Sequence, residues 1–227
     1  MRLEKASYKA VKYACLNFHY AKSIPVNVTG YSVFNDANEW CGVVIFGSGA
    51  TINIASPYNL KQGQVIELVR MALNGKHGIT SKVLSLSLKL IKKMLPLCKL
   101  IVSYADVDQN HFGCIYQATN WIYTGKCNEN TRTGFIINGI KIHNKSLHGM
   151  GKKQSLSGAQ EIDKNAIAFI SKGKHKYIYP LDKTLIPLCN SLSKPYPKKE
   201  SCAGSVTAAQ QLSKLQEGFE STSALNN

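Results

Sequence analysis

The chain has 227 residues and a formal charge of +15 at pH 7, with 28 Lys and Arg against 13 Asp and Glu. That length is enough for one domain with a substantial core, and no apolar run approaches the roughly 18 residues of a membrane span. The N-terminus is too polar for a signal peptide and the seven cysteines have no CxxC spacing, which argues against a secreted disulfide scaffold or a zinc knuckle and favours a cytoplasmic protein with a polyanionic partner.

Residues 5 to 18 carry Ala6, Ala10, Val11, Ala14, Cys15 and Phe18 at helical spacing, and Pro25 breaks the chain beyond them. "TGYSVFN" and "EWCGVVIFGSG" read as a hairpin joined through the polar turn "DANE". "QVIELVRMAL" (64–73) is the next strand. The glycine loop "NGKHG" leads into the helical run "ITSKVLSLSLKLIKKML", which Pro96 ends. A buried strand "CKLIVSYAD", a short helix "HFGCIYQATNW" and a strand "IYTGK" follow. This order predicts an α/β fold with a mixed central sheet flanked by helices.

Past residue 130 the pattern shortens. "GFIINGIKIH" suits a small hairpin, "GMGKKQSLSG" a basic loop, "SGAQEIDKNA" a short helix and "HKYIYPLDK" a strand with a turn. Residues 141–200 hold twelve Lys against four acids. The expected layout is a catalytic core over 1–130, a basic elaboration of the same domain over 131–200, and a disordered tail over 201–227, which is small, polar and poor in large apolar groups.

The candidate chemistry lies at the ends of the central strands. Gly75 and Gly78 let a backbone approach closely, Lys76 and Lys82 supply counter-charge, and Thr80 and Ser81 open the helix. Together they suit an anionic group held at a helix N-terminus, although a plain strand-to-helix turn has the same composition. Asp106 ends an apolar strand, where open α/β sheets build their sites. It reads either as a general base or as the cap of the next helix. Arg70, near the end of a buried strand, needs an acid such as Glu67 or Asp106, or an anionic ligand. Lys152, Lys153, Lys172, Lys174 and Lys176 are candidates for phosphate contacts, with Tyr177 or Tyr179 placed to stack on a base.

The run "LVRMALNGKHGITSKVLSLSLKLIKKM" followed by "LIVSYADVDQNHFGCIYQATNWIYTG" resembles the heart of a GNAT-type acyltransferase. In the donor loop, Ile79 and Thr80 stand where the GNAT pattern has a second small residue. Over roughly residues 10 to 185 the chain resembles the phage Mom family of DNA-modification proteins, through "HY...P", "Y.VF" with "GV..FG", "EL.R", "YAD" and "IYQATN.IYTG" in that order. The resemblance implies a GNAT-like fold and an enzyme of an infected bacterial cell. Such an enzyme adds a small acyl-derived group to the exocyclic N6 amine of adenine in duplex DNA, giving a carbamoylmethyl adenine that restriction enzymes do not cut. It implies functional roles for His19, Arg70, Ser81 and Asp106, with Tyr116 as general acid, a residue that by itself reads equally as a packed aromatic. His111 and Asn120, close by in the sequence, read as support for Asp106 and Tyr116. The donor it implies is acetyl-coenzyme A or glycyl-tRNA, and iron is a possible metal, which two ligands do not specify.

Overall fold

A computed structural model describes residues 1–49, 51 and 53–198. A short polar strand β1 (Arg2–Lys5) precedes helix α1 (Tyr8–Asn17). The Ser7 side chain caps α1 by accepting the Ala10 N–H, and Val11, Ala14 and Cys15 form its buried stripe. The hairpin β2 (Val28–Phe34) and β3 (Trp40–Gly47) leads to β4 (Val65–Leu73) and to helix α2 (Thr80–Met94). Val83, Leu84, Ser87, Leu88 and Ile91 line the buried face of α2. Strand β5 (Leu100–Asp106), the one-turn helix α3 (Cys114–Gln117) and β6 (Ile122–Cys127) complete the first part of the chain.

Alternate residues of β3 point to opposite faces of the sheet. Val43 and Ile45 pack with Ala72 under α1, while Val44 and Phe46 join Leu68 and Ile101 under α2. The sheet runs β1-β2-β3-β4-β5-β10-β6, in which β10 (Lys174–Pro180) arrives from the far end of the sequence. All neighbours are antiparallel except β4 and β5. That parallel pair bonds only over Val65↔Leu100, Ile66↔Ile101 and Glu67↔Val102. Beyond Glu67, β4 stays with β3 and β5 stays with β10, so the sheet splits between them. A bulge at Val69 bends β4 at the split, since Ile45 faces Arg70 and Phe46 faces Leu68.

A second sheet, β8-β7-β9, contains β7 (Thr131–Ile137), β8 (Ile140–His143) and β9 (Ile167–Ser171). Helices α4 (Asn144–Gly149) and α5 (Leu156–Gln160) cover its small core of Phe135, Ile137, Leu147, Ala159 and Ala166. After β10 the chain forms α6 (Ile186–Ser191). Residues 194–196 then follow the outer edge of β6, with the Lys194 N–H on the Tyr123 carbonyl and the Tyr196 hydroxyl on that of Trp121.

The expected mixed sheet with flanking helices is present. The division at residue 130 does not follow the structure, because β10 supplies a strand inside the central sheet. The segment expected as a basic loop contains the end of α4 and the start of α5, and β1, β9 and α6 fall where no element was expected. The tail 201–227 lies outside the described residues, among which no helix is long and apolar enough to cross a membrane.

Candidate active site

The split between β4 and β5 gathers polar side chains at its open end. Ser103 Oγ lies 2.8 Å from both the Leu68 carbonyl and the Tyr116 hydroxyl, bridging the two strands. The carbonyl can only accept, so when Ser103 donates to it, Tyr116 becomes the donor to Ser103. Burial raises the Tyr116 pKa; its contact with Ser103 opposes this, and Glu67 adds to it. The ring is held between Trp121 and Tyr177, with centroids 5.1 and 5.0 Å away. This placement depends on Gly113, whose φ of +74° is left-handed and whose added Cβ would fall 2.4 Å from the Tyr177 ring.

Asp106 ends β5 on the opposite face from Tyr116. Its Oδ1 accepts the Asp108 N–H at 3.0 Å, capping the turn Val107–Gln109, and its Oδ2 lies 3.4 Å from the Tyr20 hydroxyl. The side chain therefore does cap, with its second oxygen directed at the segment that leaves α1. There the His19 and Tyr20 rings stack with centroids 4.3 Å apart, and the exposed His111 meets Tyr20 edge-on. Burial and the negative charge and hydrogen bonding of Asp106 push the Tyr20 pKa up to about 12. Tyr20 thus keeps its proton at neutral pH and donates to the carboxylate.

Burial, followed by the charges of Arg70, His111 and Lys22, holds the His19 pKa at about 4. Its Nδ1 accepts the Ala21 N–H at 3.1 Å, which leaves Nε2 to carry the proton of the neutral ring. Both terminal nitrogens of Arg70 donate to Ser23, one to the carbonyl and one to the hydroxyl at 2.9 Å. Arg70 therefore secures the segment that carries His19 and Tyr20. Tyr20 was absent from the sequence candidates, although the "FHY" that pointed to His19 contains it. Asn120, at φ +60°, is an exposed turn residue after α3.

The head of α2 is a separate group. Gly75 and Gly78 adopt φ of +85° and +74° with open space where a Cβ would stand. Ile79 provides no side-chain cap and the first turn has no acid, so the first backbone N–H groups of α2 lack a side-chain partner. Lys76, His77 and Lys82 line a hollow of about 370 Å³ there. Thr80 Oγ1 is engaged by His77 Nε2 at 2.9 Å, while the buried Nδ1 of His77 has no partner. Open glycines, free N–H groups and two lysines suit a phosphorylated group. The Ser81 side chain is half-buried in the first turn of α2, and no hydrogen bond joins it to the Asp106 cluster.

The structure corrects part of the expected DNA surface. Tyr177 is fully buried, its hydroxyl donating to the Phe112 carbonyl at 2.6 Å and accepting from Gln117, so it has no free face for a base. Tyr179 packs against Trp121 in the same core. Lys152 pairs with Glu161 at 2.9 Å, and Lys153 lies beside α5, its carbonyl 2.2 Å from where a Cβ on Gly158 would stand. Lys172 is exposed just past β9. Lys174 lies across from Asp106 on β10, and Lys176, whose pKa is lowered by burial, sits over the Tyr58 ring. Among the described residues no group of three or more His, Cys, Asp or Glu is placed to hold a metal ion, so the residues present do not fit an iron site.

Solved structures with a similar outline include a mutant of the spermidine N-acetyltransferase SpeG from Vibrio cholerae, at 12% identity over 83% of this chain and 99% of that one, with a TM-score of 0.48. A Bacillus subtilis acetyltransferase in complex with CoA matches at 12% identity over 79% of this chain and 98% of that one, with a TM-score of 0.43. No curated protein matches the sequence. The Mom protein family matches residues 1–198, and the chain belongs to that family.

Proposed function

We propose that this protein transfers a small acyl-derived group to the exocyclic N6 amine of adenine in duplex DNA. Transfer from a glycyl carrier forms an N6–acyl bond as the carrier–acyl bond breaks, giving N6-glycyl adenine. Attack of the glycyl amine on C6, with the original N6 leaving as the carboxamide nitrogen, converts this isomer into the carbamoylmethyl adenine that protects phage DNA from restriction in the cytoplasm of an infected bacterium. The observation that carries the reading is the arrival of Asp106 and Tyr116 at one split in the sheet from opposite faces, in a chain of the Mom family. The lone pair of an adenine amine is delocalised into the ring, so the amine must lose a proton as it attacks. Asp106 is the group for that step. Tyr20 orients the carboxylate by donating to it, and the neutral His19 offers an N–H from Nε2. Tyr116, still protonated at neutral pH, gives its proton to the leaving group.

The base reaches this cleft only after leaving the duplex stack. Lys172 and Lys174 are the lysines placed to hold the flanking phosphates, and the +15 charge favours the duplex at long range. The same charge opposes a polycationic substrate such as spermidine. The donor is a phosphate-bearing carrier held by Gly75, Lys76, Gly78 and Lys82 at the head of α2. Coenzyme A and tRNA share that chemistry, but a glycyl group brings the nitrogen that an acetyl group lacks.

The test incubates the purified protein with duplex DNA and either labelled acetyl-coenzyme A or labelled glycyl-tRNA, then digests the DNA to nucleosides. Label in deoxyadenosine from one arm supports the reading and identifies the carrier. Label in neither arm, together with acetylation of a small amine, would point to a small-amine acetyltransferase instead.

A further inference from the structure

Asp108 stands two residues beyond the proposed base, and the reading above gives it no task. Only 9% of its side chain is exposed, and a buried carboxylate is costly unless it is bonded. The partners that meet it come from the smaller sheet. Ser171 Oγ donates to Oδ2 at 2.8 Å and the Lys172 N–H to Oδ1 at 2.9 Å, both at the end of β9. The Lys141 ammonium of β8 lies 3.5 Å from Oδ2 and 3.6 Å above the Phe169 ring. Burial acts to raise the Asp108 pKa, but the Lys172 N–H, the Ser171 hydroxyl and Lys141 outweigh it and the pKa is lowered. The carboxylate is therefore charged at neutral pH.

The backbone of the same residue faces the cleft. Its N–H donates to Asp106 Oδ1 at 3.0 Å, which leaves Oδ2 for Tyr20. A second tie runs alongside, from the Val107 N–H to the Gly173 carbonyl at 3.2 Å. One residue is thus pinned by β8 and β9 through its side chain and fixes one oxygen of Asp106 through its main chain.

We propose that Asp108 is a positioning residue: it locks the turn after β5 onto the smaller sheet and so sets the direction in which Asp106 presents its second oxygen, the one that faces Tyr20. The proposal rests on the reading of Asp106 as the base. A displacement of about 1 Å at a reacting group costs on the order of a hundredfold in rate, so releasing this lock affects turnover more than binding.

The test uses the full chain with Asp108→Ala and Asp108→Asn, well below each variant's melting temperature. Hydrogen exchange is followed at the Lys172 amide and over residues 107–111, alongside kcat and KM for duplex DNA. In Asp108→Ala the Lys172 amide should exchange faster, and kcat should fall about tenfold or more with KM moving less than about threefold. Asp108→Asn keeps an acceptor for Lys172 and should recover part of kcat. If Asp108→Ala does not fold, Ser171→Ala removes one arm of the lock and should shift the same readouts by less. Unchanged Lys172 exchange overturns the lock, and faster exchange with unchanged kcat overturns the positioning role. A folded wild-type chain that leaves adenine unmodified removes the reading of Asp106 as base and the positioning role with it, while the exchange arm still decides whether the lock exists.

Discussion

The two sheets are stabilised in different ways. The central sheet buries Trp121, Tyr177, Phe46 and a long run of aliphatic residues, and its site groups are fixed by bonds between distant strands. The smaller sheet has five residues in its core and leaves Ile140, Ile167 and Ile170 more than half exposed. It is fastened beside the site through Asp108, a polar contact. The difference teaches that the proposed reacting groups belong to the more deeply buried sheet, while the smaller sheet depends on few contacts and is expected to open locally first.

The strongest way to break this comparison is Phe135→Ala, which removes the largest side chain of the small core and should cost about 3–5 kcal/mol there. Hydrogen exchange should then rise across residues 131–171 while strands 28–47 keep their protection. Equal loss in both sheets would mean that they unfold as one unit. Gly113→Ala makes the complementary attack on the central sheet. The new Cβ meets the Tyr177 ring in a left-handed backbone, so about 1–3 kcal/mol of overpacking should add to about 1 kcal/mol of backbone strain. Melting temperature and turnover should fall together, because the same ring supports Tyr116; a fall in stability with turnover intact would separate Tyr116 from the chemistry.

Much of the central sheet was legible in the sequence because its elements carry local signals. The stripe of α2, the "DANE" turn and the apolar run ending at Asp106 each announce one element. The strand β1 was not legible, since "RLEK" has one apolar residue and lies at a sheet edge. Nor was the insertion of β10 between β5 and β6, because pairing across so many residues leaves no local trace. The buried Tyr177 and half-buried Tyr179 follow from that insertion: a strand flanked on both sides covers aromatics that looked available among lysines. At the site, the sequence pointed to Asp106, Tyr116, His19 and Arg70, and the structure brings them to one split. Tyr20 and Asp108 escaped because their importance lies in partners 86 and 63 residues away.

Tyr116→Phe sharpens the comparison within the central sheet. Removing the hydroxyl should lower turnover by about 10²-fold, in the range of general acid catalysis, with duplex affinity unchanged. A parallel loss of affinity would make Tyr116 a binding residue. On the basic side, the combined change Lys172→Gln and Lys174→Gln should flatten the plot of log affinity against log salt by up to roughly two units, at about 0.9 per phosphate contact. Lys152→Gln should leave the slope alone, because Glu161 already holds that lysine. The opposite ranking would move the DNA surface to α5.

The smallest effect concerns pH. The His19 pKa is depressed from its ordinary 6.5 to about 4, so between those values the unfolded chain binds a proton that the folded chain does not. Stability should therefore fall as pH drops from about 6.5 toward 4, with no contribution from His19 to pH dependence above that window. His19→Asn should flatten this part of a denaturation series. An unchanged slope would mean that His19 is free to ionise in the folded protein, and its Nε2 proton would not be fixed as described.

The central claim is that Asp106 takes the proton from an adenine amine. Its most direct test is mass spectrometry of nucleosides from plasmid DNA of cells expressing the wild-type chain or Asp106→Asn, at matched levels of folded protein. The account predicts a heavier deoxyadenosine with the wild type and its loss by on the order of a hundredfold or more with Asp106→Asn, while the variant still binds duplex DNA. A nucleoside profile left unmodified by folded wild-type protein, or modified equally by Asp106→Asn, would contradict it.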